Sequence, residues 1–296
     1  MIQPKRFAVH PVMCGLFAGA LVLSACTERE TYLVGERENV RSVLTDPDLA
    51  EPLQVRDTSP NESRPIALGA ASNNTSWSQS AGTPKYRTSH PALRAAPQLA
   101  WSADIGQGDS RKLRISANPV VASGRVFTLD ASATLTATST SGVTLWSRDL
   151  TPASDKAGQS SGGGLAVEGD TVYVSVGYGV LSAIDAASGA VRWSQDLDAS
   201  GTGTPTVYGD LVYLTAGDDT GWAVRKSDGR IQWQVSATPS LQNVLGTPAP
   251  VVNDQLAIFS FGSGEVQAVF RRGGLPRWNT AVVGKRPGRA MSSISD

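Results

Sequence analysis

Between Gly162 and Leu197 short apolar runs are cut at regular intervals by turn pairs. LAVEGDTVYVSV holds two runs joined at Gly169-Asp170, VLSAIDA is a third, and Ser188-Gly189 turns the chain into VRWSQDL. Val, Tyr, Ile and Trp suit a pleated, half-buried surface, so the pattern predicts three or four short strands. Gly-Asp and Ser-Gly supply the positive backbone angles that tight turns need. A sheet this small cannot bury both faces alone and needs neighbours.

The same pattern recurs before and after this stretch, in 116–150, 203–235 and 246–282. Each copy has an early turn: Ser123-Gly124, Gly169-Asp170, Gly209-Asp210 and Asn253-Asp254. Each has a second turn glycine four residues before a tryptophan: Gly142 and Trp146, Gly189 and Trp193, Gly229 and Trp233, Gly274 and Trp278. Those tryptophans lie 47, 40 and 45 residues apart, and Trp101 stands 45 before the first. A period of this length with four short strands per unit is the signature of β-propeller blades. The fold class is therefore all-β, a propeller of four-stranded blades. The blade repeats run over about 99–150, 151–197, 198–240 and 241–284, with the start of a further blade at 285–296. Trp101, Trp146, Trp193, Trp233 and Trp278 form a structural ladder. An indole buries a large area, and its N–H can reach a backbone carbonyl. Trp222 falls on a third strand and is expected to pack.

The formal net charge is zero and only 18% of residues are charged, which gives no basic face for nucleic acid. Of two cysteines and two histidines, Cys14, Cys26 and His10 lie in the first 26 residues. The remainder holds His90 and no cysteine, so neither a disulfide framework nor a Cys/His metal site can be built there. His90, in Ser-His-Pro, has no carboxylate near it in sequence and is expected to be structural.

The chain opens with Lys5 and Arg6, then an apolar run from Val12 to Leu23. It is too short for a membrane span and fits a signal peptide over 1–25. Leu23-Ser24-Ala25-Cys26 resembles the lipobox of bacterial lipoproteins. That resemblance implies cleavage before Cys26, which would carry the lipid and become the mature N-terminus; the alternative is a secretory signal with an incidental cysteine. Thr27 in place of Asp implies the outer membrane, the chain facing the periplasm. Several acyl chains give stable anchoring, since each buried CH₂ contributes about 0.8 kcal/mol. Residues 26–76 carry too few apolar positions for a core and read as a tether. Residues 77–98 form a transition around Trp77 and Tyr86, and Leu99 to Asp109 is expected to be the closing strand of a blade, with Trp101 in the ladder position. After Val283 the residues KRPGRAMSSISD resemble the start of another blade, which predicts an open arc from a chain cut short, its last blade exposing edges and apolar faces.

The Gly-x-x-x-Trp strand and Ala183-Ile184-Asp185-Ala186-Ala187-Ser188-Gly189 resemble the pyrroloquinoline-quinone-like propeller repeat. With the lipobox and polar tether, the chain from Cys26 onward is similar to the BamB-type lipoproteins of the outer-membrane β-barrel assembly machinery. That resemblance implies eight blades, of which about four are present. It implies a non-catalytic adaptor that docks on BamA beside other assembly lipoproteins and assists unfolded outer-membrane protein clients. Pro239-Ser240-Leu241 resembles a loop through which the family contacts BamA, and the stretch Arg289 to Asp296 resembles a segment whose acidic residues serve the same contact. Leu241 and Asp296 are thus the implied partner-binding residues; Gln242, Asn243 and Val244 depart from the family's Leu-Arg pattern.

Two other functions compete. A quinone-dependent dehydrogenase on the same blades needs a carboxylate base, an oxygen-ligand Ca²⁺ site and a stacking floor. Asp218-Asp219 is the only adjacent carboxylate pair inside the blades, and its place at a hairpin predicts a solvated turn. A ligand-binding module using the central channel would need an aromatic cluster outside the ladder. Gly162-Gly163-Gly164 precedes no helical pattern and is not a phosphate loop. With no His in the blades no Ser-His-Asp set is available. The expectation is no catalytic residue, no metal and no cofactor.

Overall fold

Val, Thr, Tyr and Ile are stiff at χ1 and favour the pleat over the helix. The turn pairs then cut the chain into short strands. The structure, a computed structural model, describes residues 65–199, 201, 203–238 and 247–282. They form sixteen strands in four sheets. The first sheet holds β1 (Val120–Ala122), β2 (Arg125–Leu129), β3 (Thr134–Ser139) and β4 (Thr144–Asp149). The second holds β5 (Gly163–Glu168), β6 (Thr171–Val176), β7 (Val180–Asp185) and β8 (Val191–Asp196). The third holds β9 (Thr206–Tyr208), β10 (Leu211–Thr215), β11 (Thr220–Arg225) and β12 (Ile231–Ser236). The fourth holds β13 (Val251–Val252), β14 (Leu256–Ser260), β15 (Glu265–Phe270) and β16 (Pro276–Ala281). Every sheet is an antiparallel meander in chain order, the topology of a propeller blade.

The first turns use two chemistries. Ser123 and Gly124 both have positive φ, 49° and 72°, and Gly169 and Gly209 each stand at 61°. Asn253-Asp254 does without a positive angle. There the Asn253 carboxamide oxygen accepts the backbone N–H of Gln255 at 2.9 Å and of Leu256 at 2.8 Å. An Asx turn of this kind replaces the glycine by a side-chain acceptor.

Registers repeat from sheet to sheet. Phe127, Ala137 and Trp146 lie opposite one another across strands two, three and four. Tyr173, Ala183 and Trp193 do the same, as do Tyr213, Ala223 and Trp233, then Ile258, Ala268 and Trp278. The small alanine leaves room for an aromatic ring on one side and an indole on the other, with centroids 5.8 to 6.0 Å apart. A β-bulge follows each of these alanines and aims the fourth strand's tryptophan.

Three of these tryptophans, Trp146, Trp193 and Trp233, then leave their own sheet and dock on the next. The indole N–H of Trp146 donates to the Ala186 carbonyl (3.2 Å), that of Trp193 to Lys226 (2.8 Å) and that of Trp233 to Arg271 (3.2 Å). Beneath the rings lie Gly189, Gly229 and Gly274. The apolar layers follow the same order. Phe127, Leu135, Val172 and Ile184 join the first two sheets; Tyr173, Leu181, Leu214 and Trp222 the second and third; Tyr213, Val252 and Phe259 the last two. Burial pushes the Tyr173 phenol up to about 12.

One expectation is corrected here. Leu99 to Asp109 forms no strand, because no described strand lies beside it to complete a ladder. Trp101 nevertheless lies over Gly142 and donates to the Thr140 carbonyl at 2.8 Å. At the far end β16 is exposed along its length and Trp278 is 44% exposed.

Glycine contacts separate packing from backbone strain. A methyl on Gly229 would fall 2.6 Å from the Trp193 ring, at φ +74°; on Gly124, at +72°, it meets nothing within 4 Å. Gly124→Ala should cost about 1–2 kcal/mol, the left-handed penalty alone. Gly229→Ala should cost about 2–5 kcal/mol, because overpacking adds to the same penalty. Urea denaturation of the two variants checks the difference.

Candidate functional site

The first strand of each sheet has a neighbour on one side only, so its other edge carries unpaired backbone groups. Four valines occupy equivalent positions on these edges. Val121 faces Val126, Val167 faces Val172, Val207 faces Val212 and Val252 faces Ala257, each five residues on. A buried N–H without an acceptor costs about 1–3 kcal/mol. All four are met by one stretch of chain, residues 77–84. Val121 N–H donates to the Trp77 carbonyl (2.8 Å), and Trp77 N–H returns the bond to Val121 at the same distance. Val167 N–H donates to the Ser78 carbonyl (2.7 Å) and Val252 N–H to the Pro84 carbonyl (2.8 Å). For Val207 the acceptor is the Gln79 side-chain oxygen at 2.9 Å, with Gln79 only 6% exposed.

Local chemistry shapes this strap. Ala81 and Gly82 have φ of 53° and 74°, and Gly82 N–H closes a turn onto the Gln79 carbonyl at 2.8 Å. A methyl on Gly82 would fall 3.0 Å from the Trp77 ring. Tyr86 then pins the far end, its hydroxyl donating to the Ala249 carbonyl at 2.6 Å. The inner edges are thus capped by the chain's own residues, which leave a cavity of about 520 Å³ between Gln79, Pro84, Val167 and Val207. The transition read over 77–98 conceals this strap, although a glutamine amid Ser and Gly is the residue able to reach an edge that the turning backbone leaves.

Two carboxylates are buried at the turns between second and third strands. Asp130 (5% exposed) accepts the backbone N–H groups of Gln107 (2.9 Å), Ser132 (2.9 Å) and Thr134 (2.7 Å). The solvated turn expected at Asp218-Asp219 holds for Asp218 alone. Asp219 is 2% exposed, has φ of 63°, and reaches Ser263 N–H of the next sheet at 3.3 Å. Its short side chain tolerates the left-handed turn that buries it. Asp130 is thus a turn acceptor, and Asp219 a contact between sheets. Among the described residues no group of three or more His, Cys, Asp or Glu is placed to hold a metal ion. His90 Nδ1 lies 2.9 Å from the Gly69 carbonyl, away from the sheets.

The second sheet carries a closed ionic corner. Arg192 Nη2 lies 2.7 Å from Asp170 and 2.7 Å from Asp185, and its Nη1 donates to Thr171 at 2.7 Å. The hydrogen bonds from Arg192 hold both carboxyls below the usual carboxylate range. Cys26, Leu241 and Asp296 lie outside the described residues, as do the signal peptide and most of the tether.

A family model described as outer membrane protein assembly factor BamB matches residues 131–296. The chain belongs to that family of PQQ-repeat propellers. BamB from Moraxella catarrhalis is 19% identical, with a TM-score of 0.50 over 62% of this chain and 54% of that one. Quinohemoprotein alcohol dehydrogenase ADHIIG from Pseudomonas putida HK5 is 17% identical, TM-score 0.55, over 70% and 40%. The quinohemoprotein alcohol dehydrogenase of Comamonas testosteroni is 16% identical, TM-score 0.53, over 71% and 42%. At these identities the likeness shows the propeller fold, and the chain spans about half the length of these structures or less. A search of curated protein sequences returns no match.

Two outcomes test the strap and the Arg192 corner. Gln79→Ala should destabilise the fold by about 1–3 kcal/mol by orphaning the Val207 N–H, with faster hydrogen exchange at that amide. For the ionic corner the sign follows from depressed carboxyls. Their stabilisation is complete above the ordinary range, about pH 4, and is lost as pH falls through the folded values. Arg192→Gln should be less stable than wild type at pH 7, with the gap closing below about pH 4 in denaturation curves.

Proposed function

We propose that this chain is a non-catalytic scaffold of outer-membrane β-barrel protein assembly, docking on a BamA-type partner and assisting insertion of outer-membrane proteins. One observation carries the reading: the four inner strand edges are bonded by residues 77–84 of the same chain. Binding is thereby left to the turns and outer surfaces, the parts by which an adaptor meets another protein. The family match supports the same role. In this reading Cys26 carries a lipid anchor that holds the chain at the periplasmic face of the outer membrane, and Leu241 and Asp296 contact the partner.

The quinohemoprotein neighbours favour a second reading, oxidation by a bound quinone. Such a group would supply a two-electron acceptor, with a cation to polarise it. It needs an open stacking floor and an oxygen-ligand cluster. The described residues do not fit it. Asp130 uses both oxygens on backbone N–H groups, Asp219 meets the Ser263 N–H, no cluster of three ligand side chains lies among the described residues, and the strap lies across the inner strands.

The deciding experiment is capture of the tagged native protein from its own membranes in mild detergent, followed by mass spectrometry and absorption spectroscopy. Recovery of a BamA-type barrel protein with other assembly lipoproteins is the expected result. A co-purifying quinone chromophore without any assembly component overturns the scaffold in favour of oxidation.

A further inference from the structure

The second and third sheets build the same corner from different charges. In the second, Asp170 follows the turn glycine, Asp185 ends β7, and Arg192 precedes the ladder tryptophan. In the third, the residues at those positions are Asp210, Arg225 and Gln232. The registers make the equivalence strict: Thr171 pairs with Asp185 as Leu211 pairs with Arg225. A carboxylate has thus become a guanidinium, and the guanidinium that neutralised it has become an amide.

The neighbouring turns add to the positive charge. Lys226 follows Arg225, and the fourth sheet brings Arg271 and Arg272 to the same cleft, about 630 Å³, with Leu211 and Trp233 among its lining. Four cationic side chains and one carboxylate, Asp210, line it. Some charge is met internally. Arg225 lies 3.0 Å from Asp228, which Arg230 shares at 3.6 Å, and Lys226 pairs with Glu168 of the second sheet. The Arg271 guanidinium sits 5.4 Å from the Tyr208 ring centre and its Nε donates to the Asp254 carbonyl at 3.3 Å. Arg272 is exposed and makes no ion pair among the described residues. In the third sheet Arg225 is held by Asp228 and by the Gln232 side-chain oxygen at 3.2 Å, so the cleft cations without an ion pair among the described residues are Arg271 and Arg272 of the fourth sheet.

We propose that this cleft binds an acidic, extended peptide segment of a partner protein. Guanidinium forks match carboxylates in pairs, and an arginine beside a half-buried tryptophan is the pairing on which protein interfaces concentrate their affinity. The apolar floor of Leu211 and Trp233 suits side chains between the acids, which a bare anion lacks.

The test uses the full chain and a fluorescein-labelled peptide of six glutamates interrupted by two leucines, followed by anisotropy. Binding should weaken about tenfold with glutamine in place of glutamate, and about tenfold in Arg272→Glu. Arg272→Lys, which keeps the charge and loses the fork, should fall between wild type and Arg272→Glu, and Arg192→Gln, in the second sheet's corner, should leave affinity unchanged. Circular dichroism confirms that each variant is folded. Equal binding of the glutamine peptide overturns the proposal, as does an affinity indifferent to Arg272→Glu. Displacement by inorganic phosphate at matched charge overturns it too, by making the cleft a small-anion site.

Discussion

The contact between an indole and the glycine of the next sheet organises everything else. At Gly142, Gly189, Gly229 and Gly274 two demands fall on one residue. The turn requires a positive φ, between 70° and 88°, and the ring above leaves no room for a Cβ. Glycine alone satisfies both. The tryptophan is equally constrained, because it is the fourth-strand side chain aimed inward while most of its neighbours are exposed. An outer strand therefore belongs to its own sheet by backbone hydrogen bonds and to the following one by a single side chain. Sheets related this way need no interlocking loops, which leaves the turns free to diverge.

That arrangement solves the outer rim and leaves the inner one open. Four first strands, as short as two residues in β13, converge with unpaired edges. The strap answers with three backbone carbonyls and one side-chain amide. The substitution of Gln79 for backbone has a geometric cause: the chain turns between Gln79 and Gly82, so its carbonyls cannot follow all four edges. A glutamine reaches across the gap the turn creates. Because Trp77 and Pro84 sit on the first and fourth sheets, the strap also spans the set from end to end.

The sheets were readable from sequence because each required residue recurs with a fixed offset. Gly four before Trp marks a contact between sheets, and turn pairs mark strand ends. An alanine nine or ten residues before each tryptophan was equally available in Ala137, Ala183, Ala223 and Ala268, yet alanine is too common to stand out without the register. The strap was not readable, because its bonds depend on backbone carbonyls, which every residue has. Asp219 escaped for a related reason. A hairpin carboxylate is ordinarily solvated, and only the approach of Ser263 from another sheet buries it. Trp101 shows the converse: a ladder contact persists where the strand predicted to carry it does not form, because the indole needs the glycine of Gly142 more than it needs a sheet.

Repetition also makes deviation informative. Positions that hold the sheets together vary little from copy to copy, so a change there has a structural price, as when Ile258 replaces the aromatic partner of Trp278. Corner positions carry no such requirement. The second sheet closes its corner with Asp170, Arg192 and Asp185 and gains a local lock. The third holds Arg225 by Asp228 and Gln232 instead, and the fourth sheet sets Arg271 and Arg272 beside it. Surface pairs of this kind contribute little to stability, about 0–1 kcal/mol, so folding does not dictate either choice. A corner that exchanges two carboxylates on one arginine for a single ion pair and an amide, with the unpaired Arg272 beside it, is therefore better explained by what it meets than by what it holds.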